Sequence, residues 1–365
     1  MEVYRTGAQR RLKELSRNVC GGLRVVGCGL MGVKGDGRAI MRGMHPNLIV
    51  FAMVLLGAAG GVWATVVGLM AWSLVHPPRM TDGKAAWVLR RLAPSDLGLA
   101  FEEMKFEVRD PSGKPLRIAA WWIPHQRAEG RCAMLIHGYA DAKVGAIAWA
   151  PVWHSLGFNL IVPDLRAHGE SGGSVCTAGC LERSDLVQVI DDLRAGRPDD
   201  TRQIVLFGVS LGAAVAAATA IDASDIAAIV MESPHADFRR AAMAHMDRIG
   251  APGQLVQRQA IALAEWLTNA DYDSIRPADL IPRVPCPVLL IEAGNDSFIR
   301  SQDRKALASA IADHPPEHGA AAIWTVNNAD HLMAISADLQ GYRTELCRFL
   351  ATIPDARTPA PSLPG

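Results

Sequence analysis

The chain has 365 residues, and its 37 Lys and Arg residues balance its 37 Asp and Glu residues, so the formal net charge is zero. The basic residues form no stripe interleaved with aromatic residues, which excludes the usual footprint of a nucleic-acid-binding protein and predicts no nucleic acid as a partner. The seven cysteines include no CxxC pair and no histidines at zinc-finger spacing, so we predict no metal site.

Residues 1–46 form a basic N-terminal segment in which Lys and Arg outnumber Asp and Glu. Within it, Gly27, Gly29 and Gly32 follow a short apolar run and match the spacing of a dinucleotide-binding fingerprint. That fingerprint requires a following helix and an acidic residue about 20 positions further on, whereas a long apolar segment follows here. We therefore predict no cofactor.

The next segment, residues 48–75, is apolar and carries no charged residue, and it is longer than the roughly 20 residues that cross a bilayer as a helix. A core helix rarely stays apolar all round over such a length, and a signal peptide normally has an apolar region of only about 7–15 residues. Trp63 and Trp72 also suit a membrane helix. We predict a transmembrane helix over residues 47–76, with the membrane as a partner through residues 48–75.

The orientation of this helix follows from the charges that flank it. Because cytoplasmic flanks are enriched in Lys and Arg, the basic segment 1–46 is expected in the cytoplasm and the rest of the chain outside it. The contrast is partial, since basic residues also follow the helix, beginning with Arg79. The prediction is a single-pass protein of the cell membrane with an extracytoplasmic main domain.

Beyond a proline-containing link at 77–94, apolar runs alternate with helical stretches. Two strand-like stretches come first and are followed by six runs typical of buried strands. Such runs, separated by helices, predict an α/β fold with a mostly parallel central sheet and helices on both faces. The predicted strands cover residues 105–110, 115–124, 132–138, 159–164, 203–208, 226–232, 286–294 and 321–326.

Two further segments depart from this alternation. Residues 234–285 are mainly helical in character and lie between two predicted strands, so we predict that they form a small helical cap. Residues 351–365 are rich in proline and polar residues and are predicted to be a disordered tail. The main domain is therefore expected over residues 77–350.

The candidate nucleophile is Ser210, in the sequence Gly208-Val209-Ser210-Leu211-Gly212. This stretch follows a predicted strand and opens an alanine-rich helical stretch, which is the context that a nucleophile elbow requires. The glycines permit the close approach of neighbouring backbone, and the free N–H groups of the following helix favour negative charge. The alternative is a small residue in a tight turn.

A serine nucleophile requires a base and an orienting acid, here in the order serine, acid, histidine. Asp296 lies in the loop after one predicted strand, and His331 lies in the loop after the last one. Among the rival acids, Asp330 adjoins His331 and would point away from its ring, and Glu292 lies inside a strand. We therefore predict a triad of Ser210, His331 and Asp296.

The oxyanion that forms during acyl transfer needs two hydrogen-bond donors. The backbone N–H of Leu211, directly after the candidate nucleophile, is the first candidate. The second is the N–H of Tyr139, in the loop after strand 132–138, where His137 and Gly138 are expected to shape the loop. The polar turn "DLRAHGESGG" at 164–173 could form a second catalytic cluster, but a structural turn near the site is the favoured interpretation.

With "HGY", "DLRAHGESGG", "GVSLG", "GNDSFI" and "ADH" in this order, the chain resembles the α/β-hydrolase superfamily. The stretch "HPPRM…DLGLAFEEMKFEVRD…GKPLRIAAWWIP", from the end of the apolar segment through the first two predicted strands, is similar to that of its membrane-anchored bacterial branch, the dienelactone-hydrolase-like or S9-peptidase-like serine hydrolases. The resemblance covers roughly residues 76–350. It implies Ser210 as nucleophile, Asp296 as acid and His331 as base, with Tyr139 and Leu211 at the oxyanion hole.

One departure from the superfamily pattern is "SVCTAGC", which holds Cys176 and Cys180 where such proteins usually have sequence rich in Thr, Ser and Gly. These cysteines either stay free or form a local disulfide in an extracytoplasmic domain.

The resemblance implies a serine hydrolase. The apolar predicted cap and the predicted membrane helix, rather than the resemblance, favour a small-molecule or lipid-like acyl ester as its substrate. A peptidase, a thioesterase, an acyltransferase and a noncatalytic membrane-tethered binding protein stay open, because the same fold hosts many activities. The sequence identifies no protein partner.

Overall fold

The structure is a computed structural model that describes residues 45–248 and 250–353. The glycine motif at residues 27–32, most of the predicted basic segment and most of the predicted tail lie outside the described residues. The chain divides into two compact units, one up to Gly61 and one from Val62 onward.

Helix α1 (Pro46–Val75) is 30 residues long and forms over the segment predicted to span a membrane. In the first unit its large apolar side chains are exposed, among them Leu48, Phe51 and Leu56. Its mean hydropathy of 2.1 and its length of about 45 Å, against the roughly 30 Å of a bilayer core, make it long and apolar enough to cross a membrane.

In the second unit the strands form one eight-stranded sheet with the order β1-β2-β4-β3-β5-β6-β7-β8. The pairs β1/β2 and β2/β4 are antiparallel and all other pairs are parallel, so the predicted mostly parallel sheet is confirmed. The strands are β1 (Glu102–Arg109), β2 (Pro115–Ile123), β3 (Arg131–Ile136), β4 (Asn159–Pro163), β5 (Gln203–Val209), β6 (Ile226–Glu232), β7 (Val288–Ala293) and β8 (Ala321–Val326).

Both faces of the central strands are buried, which explains why their sequences are continuous apolar runs, whereas the edge strand β1 is mostly exposed. In β3, Met134 packs in the core on one face and Leu135 in the core on the other. Helices α5 (Glu182–Gly196), α6 (Leu211–Asp222) and α10 (Ser301–Ala312) cover the first face. Helices α4 (Ala150–Ser155) and α12 (Leu339–Leu350) cover the second.

The segment between β6 and β7, where the sequence predicts a cap, holds most of its residues in helices. The helices there are α7 (Phe238–Arg248), α8 (Gln254–Thr268) and the short α9 (Pro277–Leu280). The remaining helices are α2 (Asp82–Val88), α3 (Lys143–Ala146) and α11 (Ala334–Ala337), and 3₁₀ turns cover Pro94–Leu97, Tyr272–Ile275, Ile281–Arg283 and Pro316–His318.

Cys176 and Cys180 are both free thiols, so the disulfide alternative is not present in the structure. Cys176 is buried, and burial raises the pKa of its thiol well above the usual value. The Cys180 thiol donates to the carbonyl oxygen of Asp271, with the two atoms 3.3 Å apart, and burial raises its pKa to about 11.

Candidate active site

Ser210 sits in the sharp turn that joins strand β5 to helix α6. Its backbone has φ 52° and ψ −115°, a conformation that costs a non-glycine residue about 1–3 kcal/mol and is retained only where surrounding contacts enforce it. One such contact is the hydrogen bond from the Ser210 N–H to the carbonyl oxygen of Glu232, at 2.9 Å. The strained turn is the geometry expected of a nucleophile elbow.

The two glycines that flank Ser210 have no room for a side chain. A Cβ on Gly208 would collide with the carbonyl oxygen of Gly212, and a Cβ on Gly212 would collide with that of Ile136. Both obstacles are backbone atoms, which cannot move aside as a flexible side chain can. The GxSxG spacing therefore follows from the crossing of helix α6 over strands β5 and β3.

The three residues predicted as a triad lie in contact, although they come from distant parts of the chain. The Ser210 hydroxyl lies 3.3 Å from Nε2 of His331, and Nδ1 of His331 lies 2.6 Å from Oδ2 of Asp296. With the carboxylate as acceptor, Nδ1 donates to Asp296 and Nε2 is left free to accept from Ser210. This arrangement can remove a proton from the serine hydroxyl.

Asp296 is held as the charged acceptor in this arrangement. Burial by itself favours the neutral acid, but hydrogen bonding and charge from His331, together with the N–H groups of Phe298 and Ile299, outweigh it and lower the pKa of Asp296. These N–H groups donate to Oδ1 at 2.7 and 3.1 Å, while Oδ2 accepts from His331. Both carboxylate oxygens are therefore fixed in place.

The predicted oxyanion donors flank Ser210. Leu211 is the first residue of helix α6, and the loop after β3 passes so close that a Cβ on Gly138 would lie 3.5 Å from Cβ of Ser210. Within residues 45–248 and 250–353, the N–H groups of Leu211 and Tyr139 donate no hydrogen bond to another residue. Both residues therefore adjoin Ser210 through the chain or the neighbouring loop, and their role as oxyanion donors stays a prediction.

The polar turn at 164–173 is occupied by structural contacts. Asp164 is fully buried and accepts from the backbone N–H and the ammonium group of Lys143, at 2.6 and 3.0 Å. Arg166 pairs with the buried Asp185. His137, in the neighbouring loop, donates from Nδ1 to the carbonyl oxygen of Gly138 and accepts from the N–H of Leu165. These contacts agree with the structural interpretation of both segments.

Sequence reasoning missed two side chains around His331. The ring of Phe298 lies 4.8 Å from that of His331, between centroids, and is 44% exposed, so it shields one side of the imidazole. His235 is fully buried near His331, and burial, followed by the charge of His331, lowers the pKa of His235 to about 4. The sequence signal for Phe298 was its position two residues after Asp296.

A third missed residue, Glu232, lies at the end of β6 behind the elbow. Its carboxylate accepts from the indole N–H of Trp149 and the hydroxyl of Tyr342, both at 2.8 Å. The visible signal was an acidic residue at the end of an apolar strand. In the described part of the chain, no group of three or more His, Cys, Asp or Glu residues could hold a metal ion.

The chain is 24% identical to the uncharacterized protein YqkD of Bacillus subtilis over 271 residues, which cover 72% of this chain and 84% of that protein. An uncharacterized protein of Mycobacterium tuberculosis is 26% identical over 200 residues, covering 54% of this chain and 64% of that protein.

Among solved structures, an esterase of Pyrococcus furiosus matches with a TM-score of 0.60 and 20% identity, covering 76% of this chain and 99% of that one. An acylaminoacyl peptidase of Pyrococcus horikoshii matches with a TM-score of 0.51 and 15% identity, covering 75% of this chain and 44% of that one. At such identities the likeness shows the fold. The alpha/beta hydrolase family profile matches residues 133–341, more than half of the chain, so the protein belongs to the alpha/beta hydrolase family.

Proposed function

We propose that the protein is a membrane-anchored serine hydrolase that cleaves ester-type substrates. The observation that carries the proposal is the hydrogen-bonded series from Ser210 through His331 to Asp296. The likeness in fold to an esterase agrees with it. Helix α1 supports the anchor, since it is long and apolar enough to span a bilayer.

In the proposed mechanism, Nε2 of His331 takes the proton of the Ser210 hydroxyl as Oγ attacks the ester carbonyl. The N–H groups of Leu211 and Tyr139 donate to the oxyanion, and the carboxylate of Asp296 stabilises the imidazolium ion. His331 then gives the proton to the departing alkoxide. A water molecule, activated by the same histidine, hydrolyses the acyl-enzyme and regenerates the serine.

The proposed substrate class is a small-molecule or lipid-like ester of a carboxylic acid. Helix α8, in the region proposed as a cap at residues 234–285, exposes the large apolar side chains of Leu255, Trp266 and Leu267. Apolar side chains beside a membrane anchor favour an acyl chain over a polar peptide as the group admitted to the site.

The experiment is hydrolysis of p-nitrophenyl esters of increasing acyl length by the full-length protein in detergent. Ser210→Ala is expected to abolish hydrolysis and labelling by a fluorophosphonate, because both require the nucleophilic hydroxyl. Ser155→Ala is the matched control, since that hydroxyl donates to the carbonyl oxygen of Val152 on helix α4. Hydrolysis at the wild-type rate by Ser210→Ala would refute the mechanism.

The same experiment separates the alternatives. Labelling at Ser210 with faster turnover of peptide, thioester or acyl-acceptor substrates would assign a peptidase, thioesterase or acyltransferase instead. A folded wild-type protein that is neither labelled nor active would assign a noncatalytic binding protein.

A further inference from the structure

The end of helix α1 is capped by residues from the domain that carries the candidate site. The last four carbonyl groups of an α-helix have no partner within the helix. Here the hydroxyl of Tyr139 lies 2.9 Å from the carbonyl oxygen of Ser73 and 3.1 Å from that of Leu74. The N–H of Cys176 donates to the carbonyl oxygen of Val75 at 2.8 Å. The helix therefore ends on the domain itself.

The side of the same helix segment is also packed. Val67, Ala71 and Val75 are buried against helix α8, where Val256, Ala260 and Ala264 complete a separate apolar cluster. The indole N–H of Trp63 donates to the side-chain oxygen of Gln259 at 2.7 Å. A mere tether would need neither contact. These contacts begin at Trp63, and residues 46–62 of the 30-residue helix precede them, a length at the short end of the roughly 17–25 residues that can cross a bilayer.

Arg79, just beyond the helix, contacts a second loop, and that loop contacts the residue that follows Tyr139. Arg79 donates to four carbonyl groups of one loop, those of His168, Gly169, Ser171 and Gly173. Nε2 of His168 in turn accepts from the N–H of Ala140, at 3.2 Å. The residue that follows Tyr139 is thus tied to the same end of the helix by a second route.

We propose that helix α1 positions the oxyanion loop through the hydroxyl of Tyr139, so that the rate of hydrolysis depends on how the helix is seated on the domain. The inference rests on the proposed function, in which the backbone N–H of Tyr139 donates to the oxyanion. One residue then joins the two parts, with its side chain on the helix end and its backbone directly after Gly138, which passes beside Ser210. A displacement of about 1 Å at such a donor is enough to lower a rate severalfold or more.

The test uses the full-length protein in one detergent and compares Tyr139→Phe with wild type. This substitution keeps the ring and the backbone N–H and removes the hydroxyl that contacts Ser73 and Leu74. We expect kcat for a p-nitrophenyl ester to fall about tenfold, with KM changed by less than about twofold, because a misplaced oxyanion donor weakens transition-state binding. Tyr272→Phe is the matched control, a buried tyrosine that packs on Phe238.

A second readout separates positioning from simple destabilisation. Sulfur is a poorer hydrogen-bond acceptor than oxygen, so an enzyme with well-placed oxyanion donors hydrolyses an oxoester faster than the matching thionoester. Tyr139→Phe is expected to lower this oxoester-to-thionoester rate ratio, whereas Tyr272→Phe leaves it unchanged. A fall in kcat with an unchanged ratio would show that the hydroxyl serves stability alone and would overturn the proposal.

A third variant disturbs the helix without changing Tyr139. Ala71 is fully buried, so Ala71→Leu forces helices α1 and α8 apart, while Ala64→Leu adds the same atoms at an exposed position two turns earlier. We expect Ala71→Leu to lower both kcat and the oxoester-to-thionoester rate ratio, as Tyr139→Phe does. Ala64→Leu should change neither. If Tyr139→Phe and Ala71→Leu keep kcat and the rate ratio while Ser210→Ala is inactive, the proposal fails and the serine hydrolase stands. Activity in Ser210→Ala would instead refute the proposed function.

Discussion

His331 of the candidate triad is held more closely by Asp296 than by Ser210. Asp296 is 4% exposed, and its Oδ2 lies 2.6 Å from Nδ1 of His331. Its other oxygen, Oδ1, accepts hydrogen bonds from two backbone N–H groups. The Ser210 hydroxyl, by contrast, lies at the longer distance of 3.3 Å. Triads in proteins without substrate are often loose at this step and tighten when substrate binds. The tautomer of His331 is therefore set by Asp296.

Asp296→Asn is expected to lower kcat by about 10³–10⁴, because an amide can donate to Nδ1 and so favours the tautomer that cannot accept from Ser210. Asp330→Asn is the matched control, since Asp330 adjoins His331 in the chain and is exposed. We expect its kcat to stay within about twofold of wild type. Steady-state ester hydrolysis measures both, and the opposite ranking would make Asp330 the acid.

Glu232 introduces a pH dependence into stability rather than into the chemistry. Burial raises its pKa to about 7, despite the opposing hydrogen bonds from Tyr342 and Trp149. In the unfolded chain an ordinary glutamate releases its proton near pH 4.3, so between about pH 4.5 and 7 the folded state holds a proton that the unfolded state has lost. The free energy of unfolding therefore falls with rising pH across this window, by at most about 3 kcal/mol.

Glu232→Gln removes that titration and keeps an oxygen acceptor for Trp149 and Tyr342. The melting temperature of the variant relative to wild type should therefore rise between pH 5 and pH 8. Thermal unfolding at the two pH values measures this difference. Glu345→Gln, at a half-buried position paired with the exposed Arg348 on helix α12, should show no such trend. A difference between variant and wild type that is equal at both pH values would contradict the assignment.

At the scale of elements, the elbow depends on how closely helix α6 crosses the sheet. The helix begins with Leu211 and Gly212 and continues with small alanine side chains that are fully buried. Small residues let the helix backbone lie directly over β3 and β5, which carries its N-terminus to Ser210. The same N-terminus aims free N–H groups at the site. The small residues at the start of helix α6 are therefore required both by its close packing on the sheet and by the chemistry at Ser210.

Gly212→Ala is expected to lower the free energy of unfolding by about 1–3 kcal/mol, because its Cβ would meet the carbonyl oxygen of Ile136 and the neighbouring backbone has to shift. Gly196→Ala, at the end of helix α5, is the control, since nothing lies within 4 Å of its Cβ. The control should be neutral or slightly stabilising. Thermal unfolding of both variants decides, and equal melting temperatures would show that the crossing can adjust.

The positions of the strands, and of the loops that carry the candidate triad, could be predicted because each buried strand is a continuous apolar run. Strand β6, for example, begins at Ile226 and ends at Glu232, as predicted. Loops after parallel strands meet at one edge of the sheet, which brings Ser210, Asp296 and His331 within reach of one another. The contact of the Tyr139 hydroxyl with Ser73 could not be predicted, because it depends on how a helix packs and leaves no periodic signal.

At the scale of the whole molecule, the cysteines can test the membrane topology that the charges flanking helix α1 predict. The positive-inside rule predicts that residues 1–46 lie in the cytoplasm and the hydrolase domain outside. Cysteines occur on both sides of helix α1: Cys20 and Cys28 precede it, and Cys347, on helix α12, is exposed. Cys132, Cys176 and Cys286 are buried, and burial holds the pKa of each thiol high enough to make it unreactive.

In intact cells, a membrane-impermeant maleimide should therefore label Cys347 in the wild-type protein, and Cys347→Ser should lose that labelling. A variant lacking Cys20 and Cys28 should be labelled as the wild type is, because those thiols face the cytoplasm in the proposed orientation and react only after permeabilisation. Labelling that depends on Cys20 and Cys28 and survives Cys347→Ser would reverse the topology. The candidate active site would then face cytoplasmic acyl esters, with the Ser210 chemistry unchanged.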